Sequence, residues 1–150
     1  MPRLLAVLVC LAACHTQAAP VSSMTLPQGA VRFETPRGPW VVRVEIANSD
    51  ESRTRGLMFR RDLPQDRGMI FVFPATEEHA FWMHNTLLGL DLIFLGEDRT
   101  VAGVLTAAPQ TDTQRTVGKP SRYVVEVSAG EAAAHAVGPG TRAAFIDIPE

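Results

Sequence analysis

Short apolar runs rich in β-branched and aromatic residues, each ended by turn-forming residues, constrain the fold of this chain more than any other feature. Residues 40–46 alternate apolar and polar side chains, and this period of two is typical of a strand with one buried face. About six or seven short strands without a βαβ rhythm predict a mainly β (α+β) fold, namely a compact β-barrel or sandwich. The other runs predict strands at 68–73, 81–83, 90–95, 100–106, 123–127 and 143–148.

Two short helices are expected beside these strands. The first covers about 49–58, where Asn48 or Ser49 can cap its start, acidic residues follow and arginines come near its end. The second is an Ala-rich segment at 130–137 that is closed by a Gly-Pro-Gly sequence. Both are too short to change the fold class.

Size and charge exclude several kinds of protein. The chain has 150 residues, 46% hydrophobic and 20% charged, which is the profile of one globular domain. Its net charge of −2 gives no general attraction for phosphate backbones, so no nucleic-acid partner is expected. Beyond the N-terminus, the longest apolar run, 87–95, is interrupted and falls far short of the roughly 20 residues that span a bilayer.

The first residues carry a targeting signal. Arg3 precedes an almost wholly apolar stretch at 4–13, whose last small residues lead directly to Cys14. This arrangement resembles the signal peptide of bacterial lipoproteins, in which the cysteine becomes the first residue and carries acyl chains. Ordinary secretory cleavage after Ala18 is the alternative.

Cleavage before Cys14 divides the chain into a signal peptide at 1–13, a flexible tether at 14–29 and a single domain at 30–150. The mature chain then holds one lipidated cysteine and no disulfide. Its first expected partner is a membrane surface of the cell envelope, reached through the lipid. His15 follows the cysteine where lipoproteins of the inner membrane typically carry Asp, so the outer membrane is favoured. A soluble periplasmic or secreted protein is the alternative.

Three sequence blocks resemble a known family. They are R-x-x-G-L-M-x-R at 53–60, G-M-x-F-x-F at 68–73 and F-W-M-x-N-T at 81–86. Together they are similar to the bacterial and archaeal domain of unknown function 192, DUF192, over about 42–145. The resemblance implies a mainly β domain, in agreement with the strand pattern, and little about activity, because this family has no settled function. One departure is His84, where the family usually has lysine.

The third block supplies the first candidate binding residues. Trp82 on the outward face of its strand, beside Asn85 and Thr86, would offer a flat apolar wall flanked by hydrogen-bonding groups. The structural alternatives are that Trp82 belongs to the core and that Asn85 only shapes a turn.

Asp91 is the most informative ionisable residue, because it lies within an apolar run where a bare carboxylate would be costly. Its carboxylate must accept hydrogen bonds from backbone groups or from an arginine, and Arg53 and Arg60 are the natural partners for an ion pair. The alternatives are a functional carboxylate that lines a pocket, and an anion pocket that the two arginines form without it.

Three functional hypotheses follow. The favoured one is a non-catalytic envelope module that binds a small ligand or a partner protein through Arg53, Arg60, Trp82, Asn85, Thr86 and Asp91. The second is a hydrolase in which Asp91 is the acid or base. The third is a copper-handling lipoprotein with Met58, Met69, Met83 and His84 as ligands. The spacing of His79 and His84 fits no zinc motif. Apart from the copper of the third hypothesis, no metal or other cofactor is expected.

Overall fold

A computed structural model describes residues 25–149 of the chain. The predicted signal peptide, Cys14 and most of the predicted tether lie outside the described residues. Residues 25–149 form seven strands and two short helices: β1 (Gln28–Thr35), β2 (Gly38–Ala47), α1 (Asp50–Arg55), β3 (Arg67–Glu77), β4 (Leu90–Leu95), β5 (Val101–Ala107), β6 (Ser121–Ser128), α2 (Glu131–Ala134) and β7 (Arg142–Ile146).

All seven strands form one sheet in the order β5-β4-β6-β3-β2-β1-β7. Only β2 and β3 pair in parallel, whereas the other neighbours are antiparallel. The sheet curls into a half-barrel, and its two edges meet at one end, where Val101 N–H donates to Thr141 O at 2.8 Å and Ala143 N–H to Arg99 O at 3.0 Å. The predicted mainly β fold with two short helices is confirmed.

The inner face of the curled sheet holds the larger core. Alternate residues of every strand point to it, and α2 closes one side through Ala132. We call these residues the inner cluster: Val31, Phe33, Trp40, Val42, Val44, Ile46, Ile70, Val72, Ile93, Leu95, Val101, Tyr123, Val125, Val127, Ala132 and Val137.

The outer face is apolar mainly across β3, β4 and β6, where α1 and the segment 78–89 cover it. The cover contributes Leu57 and Met83, both fully buried. We call these residues the outer cluster: Ala47, Leu57, Met69, Phe71, Met83, Leu90, Leu92, Phe94, Ala107 and Val124. A sheet buried on both faces in this region explains why 90–95 reads as a continuous apolar run.

The helices are shorter than predicted. Ser49 caps α1, accepting a hydrogen bond from Ser52 N–H, and the Ser52 side chain in turn accepts one from Ser49 N–H. The helix ends at Arg55 because Gly56 takes a positive φ of 48°. A Cβ there would also lie 3.2 Å from the Phe71 ring, so glycine both ends the helix and allows close packing. Within 25–149, no helix is long and apolar enough to cross a membrane.

Three details of the predicted strands are wrong. The segment 81–83 is not a strand: Phe81 makes only an isolated bridge with Arg115, because the segment lies over the sheet instead of extending it. β3 continues past Pro74 to Glu77, since its pairing with β6 is interrupted after Val72 and proline has no ladder bond to donate there. β1, whose buried residues are Val31 and Phe33 alone, was not predicted and begins inside the predicted tether.

Candidate ligand-binding cavity

A cavity of about 290 Å³ lies where the cover meets the outer face of the sheet. Its walls are α1 with the turn after it and the segment 79–86, and its floor is formed by β3 and β6. We call it the Trp82 cavity, and its lining residues are Arg53, Thr54, Arg55, Gly56, Leu57, Met58, Phe71, Phe73, His79, Ala80, Phe81, Trp82, Thr86 and Glu126.

The three sequence blocks meet at this cavity, although 33 positions separate Arg53 in the first block from Thr86 in the third. The first block gives the helical wall, the second gives the floor, and the third gives the opposite wall. Each block contributes lining side chains: Arg53, Gly56, Leu57 and Met58 from the first, Phe71 and Phe73 from the second, and Phe81, Trp82 and Thr86 from the third.

Aromatic rings define the shape of the cavity. Phe81 packs edge-on against Phe71 and Phe73, with ring centroids 5.1 and 6.2 Å apart. His79 stacks on Phe73 at 3.6 Å. Trp82 is 47% exposed, so its ring forms an open edge of the cavity instead of part of the core. Such rigid ring faces offer apolar contact area at little cost in conformational entropy.

Glu126 is the buried carboxyl group of the cavity. It is 4% exposed, and its strand neighbours are Met69 on β3 and Leu92 on β4, neither of which can form a hydrogen bond with it. No hydrogen bond or ion pair joins its side chain to any other residue that the structure describes. Burial raises the pKa of this carboxyl group to about 8, so it is mostly protonated and neutral at pH 7.

The other ionisable groups of the cavity differ in the hydrogen bonds and ion pairs that they form with other residues. Arg53 donates to Val72 O at 2.7 Å and pairs with Asp50 at 2.6 Å. The Arg55 side chain forms no hydrogen bond or ion pair within 25–149 and is half-buried. Burial lowers the pKa of His79, whose Nε2 has no hydrogen-bond partner among these residues. One guanidinium is therefore free to contact a ligand.

The structure brings together three of the six predicted binding residues. Arg53, Trp82 and Thr86 line the Trp82 cavity, whereas Arg60 and Asn85 do not. Arg60 forms a two-bond ion pair with Glu45 at 2.7 and 2.5 Å, and this pairing raises its pKa.

Asn85 lies in a turn near the end of the third block. It has a positive φ of 52°, and its carbonyl accepts a hydrogen bond from Phe59 N–H at 2.9 Å. Its position matches the structural alternative for this residue, because asparagine tolerates the left-handed conformation.

Asp91, the sixth residue, lies on the inner face of the sheet and does not line the Trp82 cavity. It is 1% exposed, and its carboxylate accepts hydrogen bonds from Thr106 Oγ1 at 2.6 Å, Gly130 N–H at 2.9 Å and Ala132 N–H at 3.0 Å. The predicted ion pair with Arg53 or Arg60 is wrong, because these arginines pair with Asp50 and Glu45. The expected backbone donors are present at the start of α2, and Thr106 supplies the third donor.

The comparisons with known proteins identify the family. The sequence profile of DUF192, described as "Uncharacterized ACR", matches residues 32–145. The chain belongs to the DUF192 family. The resemblance of its three blocks to that family is thereby confirmed, and no curated protein matches the chain.

Two solved structures are similar to this DUF192 domain. One, from Sinorhizobium meliloti 1021 and provisionally described as a transcription regulator, is 33% identical with a TM-score of 0.78, and the match covers 81% of this chain and 95% of that chain. The other, a protein of unknown function from Novosphingobium aromaticivorans DSM 12444, is 35% identical with a TM-score of 0.77, covering 83% and 89%. These comparisons establish family and fold.

The predicted copper ligands of this DUF192 domain lie in different surroundings. Met69 and Met83 are buried in the outer cluster, and Met58 lines the Trp82 cavity. His84 lies outside the cavity lining, where its Nδ1 is 2.8 Å from Asp112 Oδ1 and its ring stacks on Trp82. Over the described part of the chain, no group of three or more His, Cys, Asp or Glu could hold a metal ion.

Sequence reasoning missed Glu126, although the signal was present. The run Tyr123-Val124-Val125-Glu126-Val127 encloses a carboxyl group in apolar residues, as the run around Asp91 does. A glutamate at an alternating position usually marks a solvent-facing side. Here that side is covered by the third block, so the same position becomes buried.

Proposed function

We propose that this DUF192 domain is a non-catalytic module that binds a small ligand in the Trp82 cavity, and that a lipid on Cys14 holds it at the bacterial cell envelope. One observation carries the first part: the carboxyl group of Glu126 is buried against the cavity without a hydrogen-bond partner among the described residues. The second part rests on the lipoprotein-type signal at 1–14.

The carboxyl oxygens of Glu126 face the cavity, since they are not among the fully enclosed side-chain atoms without a partner in residues 25–149. A buried carboxyl group without a protein partner calls for a functional explanation. A ligand in the cavity would supply the missing partner. The surroundings fit that role, since the cavity combines aromatic walls with a few polar groups, as small-molecule sites do.

Asp91 gives no support to a hydrolase. Its two oxygens already accept three hydrogen bonds on the opposite face of the sheet, so Asp91 is not available as an acid or base at the cavity. Charge and helix length do not favour a transcription regulator, the description given to the S. meliloti relative. The net charge of this chain is −2, and its two helices in 25–149 have six and four residues, too short to read a DNA groove.

The ligand-binding part is tested by thermal unfolding of the full-length chain against a panel of organic fragments, nucleotides, sugars, cell-wall fragments and metals that include Cu(I). A ligand at about a hundred times its Kd stabilises the folded state by about 2.7 kcal/mol. We expect hits that Trp82→Ala abolishes. Phe59→Ala is the matched control, because it removes an exposed aromatic ring that does not line this cavity. If no member of the panel stabilises the protein, the proposal is wrong.

The envelope part is tested by metabolic labelling with a radioactive fatty acid, followed by membrane fractionation. We expect label on the wild-type chain and on Cys10→Ser, and none on Cys14→Ser. Outer-membrane fractions should contain the labelled protein. An unlabelled, soluble wild-type chain beginning at Ala19 would instead support secretory cleavage after Ala18.

A further inference from the structure

We propose that the natural ligand of the Trp82 cavity is a small organic anion, a carboxylate with an apolar or aromatic body. Its charge pairs with Arg55, and the protonated Glu126 donates a hydrogen bond to one of its oxygens. This inference rests on the proposed ligand-binding function and adds the chemical class of the ligand.

The balance of charges around the cavity favours an anion. Its ionisable groups are Arg53 and Arg55 from α1, His79 from the covering segment and Glu126 from β6, while β3 contributes only phenylalanines to the lining. Arg53 is partly neutralised by Asp50, which leaves the positive charge of Arg55 without a counter-charge among residues 25–149. His79 and Glu126 are both held in their neutral forms by burial at pH 7, as their shifted pKa values show.

The same charged and neutral groups disfavour a cationic ligand. It would lie near two arginines, and its natural partner, Glu126, would first have to release a proton. With a pKa of about 8, that release at pH 7 weakens the apparent affinity about tenfold. An anion needs no such step, because a protonated carboxyl group already has a hydrogen to donate.

The remaining surface of the cavity selects the body of the ligand. Phe71, Phe73 and Phe81 present rings that are arranged edge-to-face, and Trp82 supplies a further face at the opening. Flat apolar groups pack well against such rings. A cavity of about 290 Å³ has room for a ligand of about one ring with its substituents.

Three probes of nearly equal shape separate the charge classes: benzoate, neutral benzamide and cationic benzamidine. Their affinities for the full-length chain would be measured by calorimetry from pH 6.5 to 9, with the same neutral detergent throughout. We expect benzoate to bind tightest at pH 7 and its affinity to fall above about pH 8, where Glu126 ionises. Glu126→Gln should keep benzoate binding and remove that fall, because the amide still donates and does not ionise.

Variants of arginine test the pairing. Arg55→Gln should weaken benzoate about tenfold and leave benzamide unchanged, since only the anion loses a charge-assisted bond. Arg61→Gln, which removes an exposed arginine outside the cavity lining, should change neither affinity.

Two kinds of failure are distinguishable. If benzamidine binds tightest and gains affinity as the pH rises through 8, or if Arg55→Gln leaves benzoate unaffected, the anion class is wrong and the cavity remains a ligand site. If no probe binds while another fragment occupies the cavity, the class is likewise wrong. If neither the probes nor the fragment panel binds, both proposals fail together.

Discussion

Two carboxyl groups, Asp91 and Glu126, are buried on adjacent strands of one sheet and face opposite sides of it. Asp91 lies opposite Val127 in the β4–β6 ladder, and Glu126 lies opposite Leu92, one step along the same ladder. Three donors surround the first group, and no described residue bonds to the second. Similar burial therefore accompanies two different bonding states: Asp91 accepts three hydrogen bonds within the fold, and Glu126 has no partner among residues 25–149.

The difference arises from what covers each face. On the inner side, the backbone turns tightly into α2, and the N–H groups at its start point at Asp91, as they do toward anions generally. On the outer side, the cover is a short helix and an irregular segment that present aromatic rings and leave a cavity. Backbone donors satisfy one acid, whereas side-chain rings cannot satisfy the other.

Among the substitutions, removing the Asp91 carboxylate should have the largest effect on stability. Asp91→Ala leaves two backbone N–H groups and one hydroxyl without their acceptor, and we expect a loss of about 3 kcal/mol or more in the free energy of unfolding. Urea denaturation measures it. A loss below about 1 kcal/mol would mean that water replaces the carboxylate and that Asp91 does not hold α2 in place.

The pH dependence of stability should report Glu126. Its pKa is about 8 in the folded state against an ordinary value of 4.5, so between these values the unfolded chain has released a proton that the folded chain retains. Stability should therefore fall as the pH rises from about 5 to 8, by about 1.4 kcal/mol per pH unit at the steepest. Below this window both states are protonated, and above it both are ionised.

Glu126→Gln is the control for this slope. His79 titrates with the opposite sign, because burial lowers its pKa, so its contribution rises with pH near the ordinary histidine value. The difference between the wild type and Glu126→Gln cancels that contribution. Parallel curves for the two proteins would show that Glu126 is solvated and would remove the contrast with Asp91.

Replacing Glu126 by an apolar side chain of similar length should stabilise the protein. Glu126→Met removes the desolvation cost of the carboxyl group while keeping most of its packing, and we expect a gain of about 1–2 kcal/mol at pH 7 in thermal unfolding. A gain is the mark of a group retained for function at the expense of stability. A loss of comparable size would instead show that the carboxyl group makes a structural bond.

The fold was predictable from the sequence to the extent that alternation and turn residues determine it. The strand at 40–46, the helix capped at Ser49 and the hairpin after Leu95 depend on neighbours along the chain, and local patterns describe such elements well. β1 was missed because only two of its eight residues are buried, so its apolar alternation is short. The segment 81–83 was assigned wrongly because an apolar trio that covers a sheet looks the same as one within it.

The candidate site was only half predictable, for a related reason. Trp82 and Thr86 could be proposed because they lie close together in the third block. Two of the three donors to Asp91, however, come from the start of α2, some forty positions away. Arg55 and Glu126 meet at one cavity only through tertiary packing. Which side of a strand a cover segment buries is not encoded in that strand alone.

Removing Trp82 should have the smallest effect on stability and thus sharpen the contrast between the two faces. Its ring is 47% exposed, and we expect Trp82→Ala to change the free energy of unfolding by no more than about 0.5 kcal/mol while ligand binding is lost. Phe81→Ala, the adjacent control, should cost about 3 kcal/mol, because that ring packs against Phe71, Phe73 and Phe94. Equal losses for the two variants would make the third block a core element of the fold, and the exposed tryptophan would then need a structural explanation.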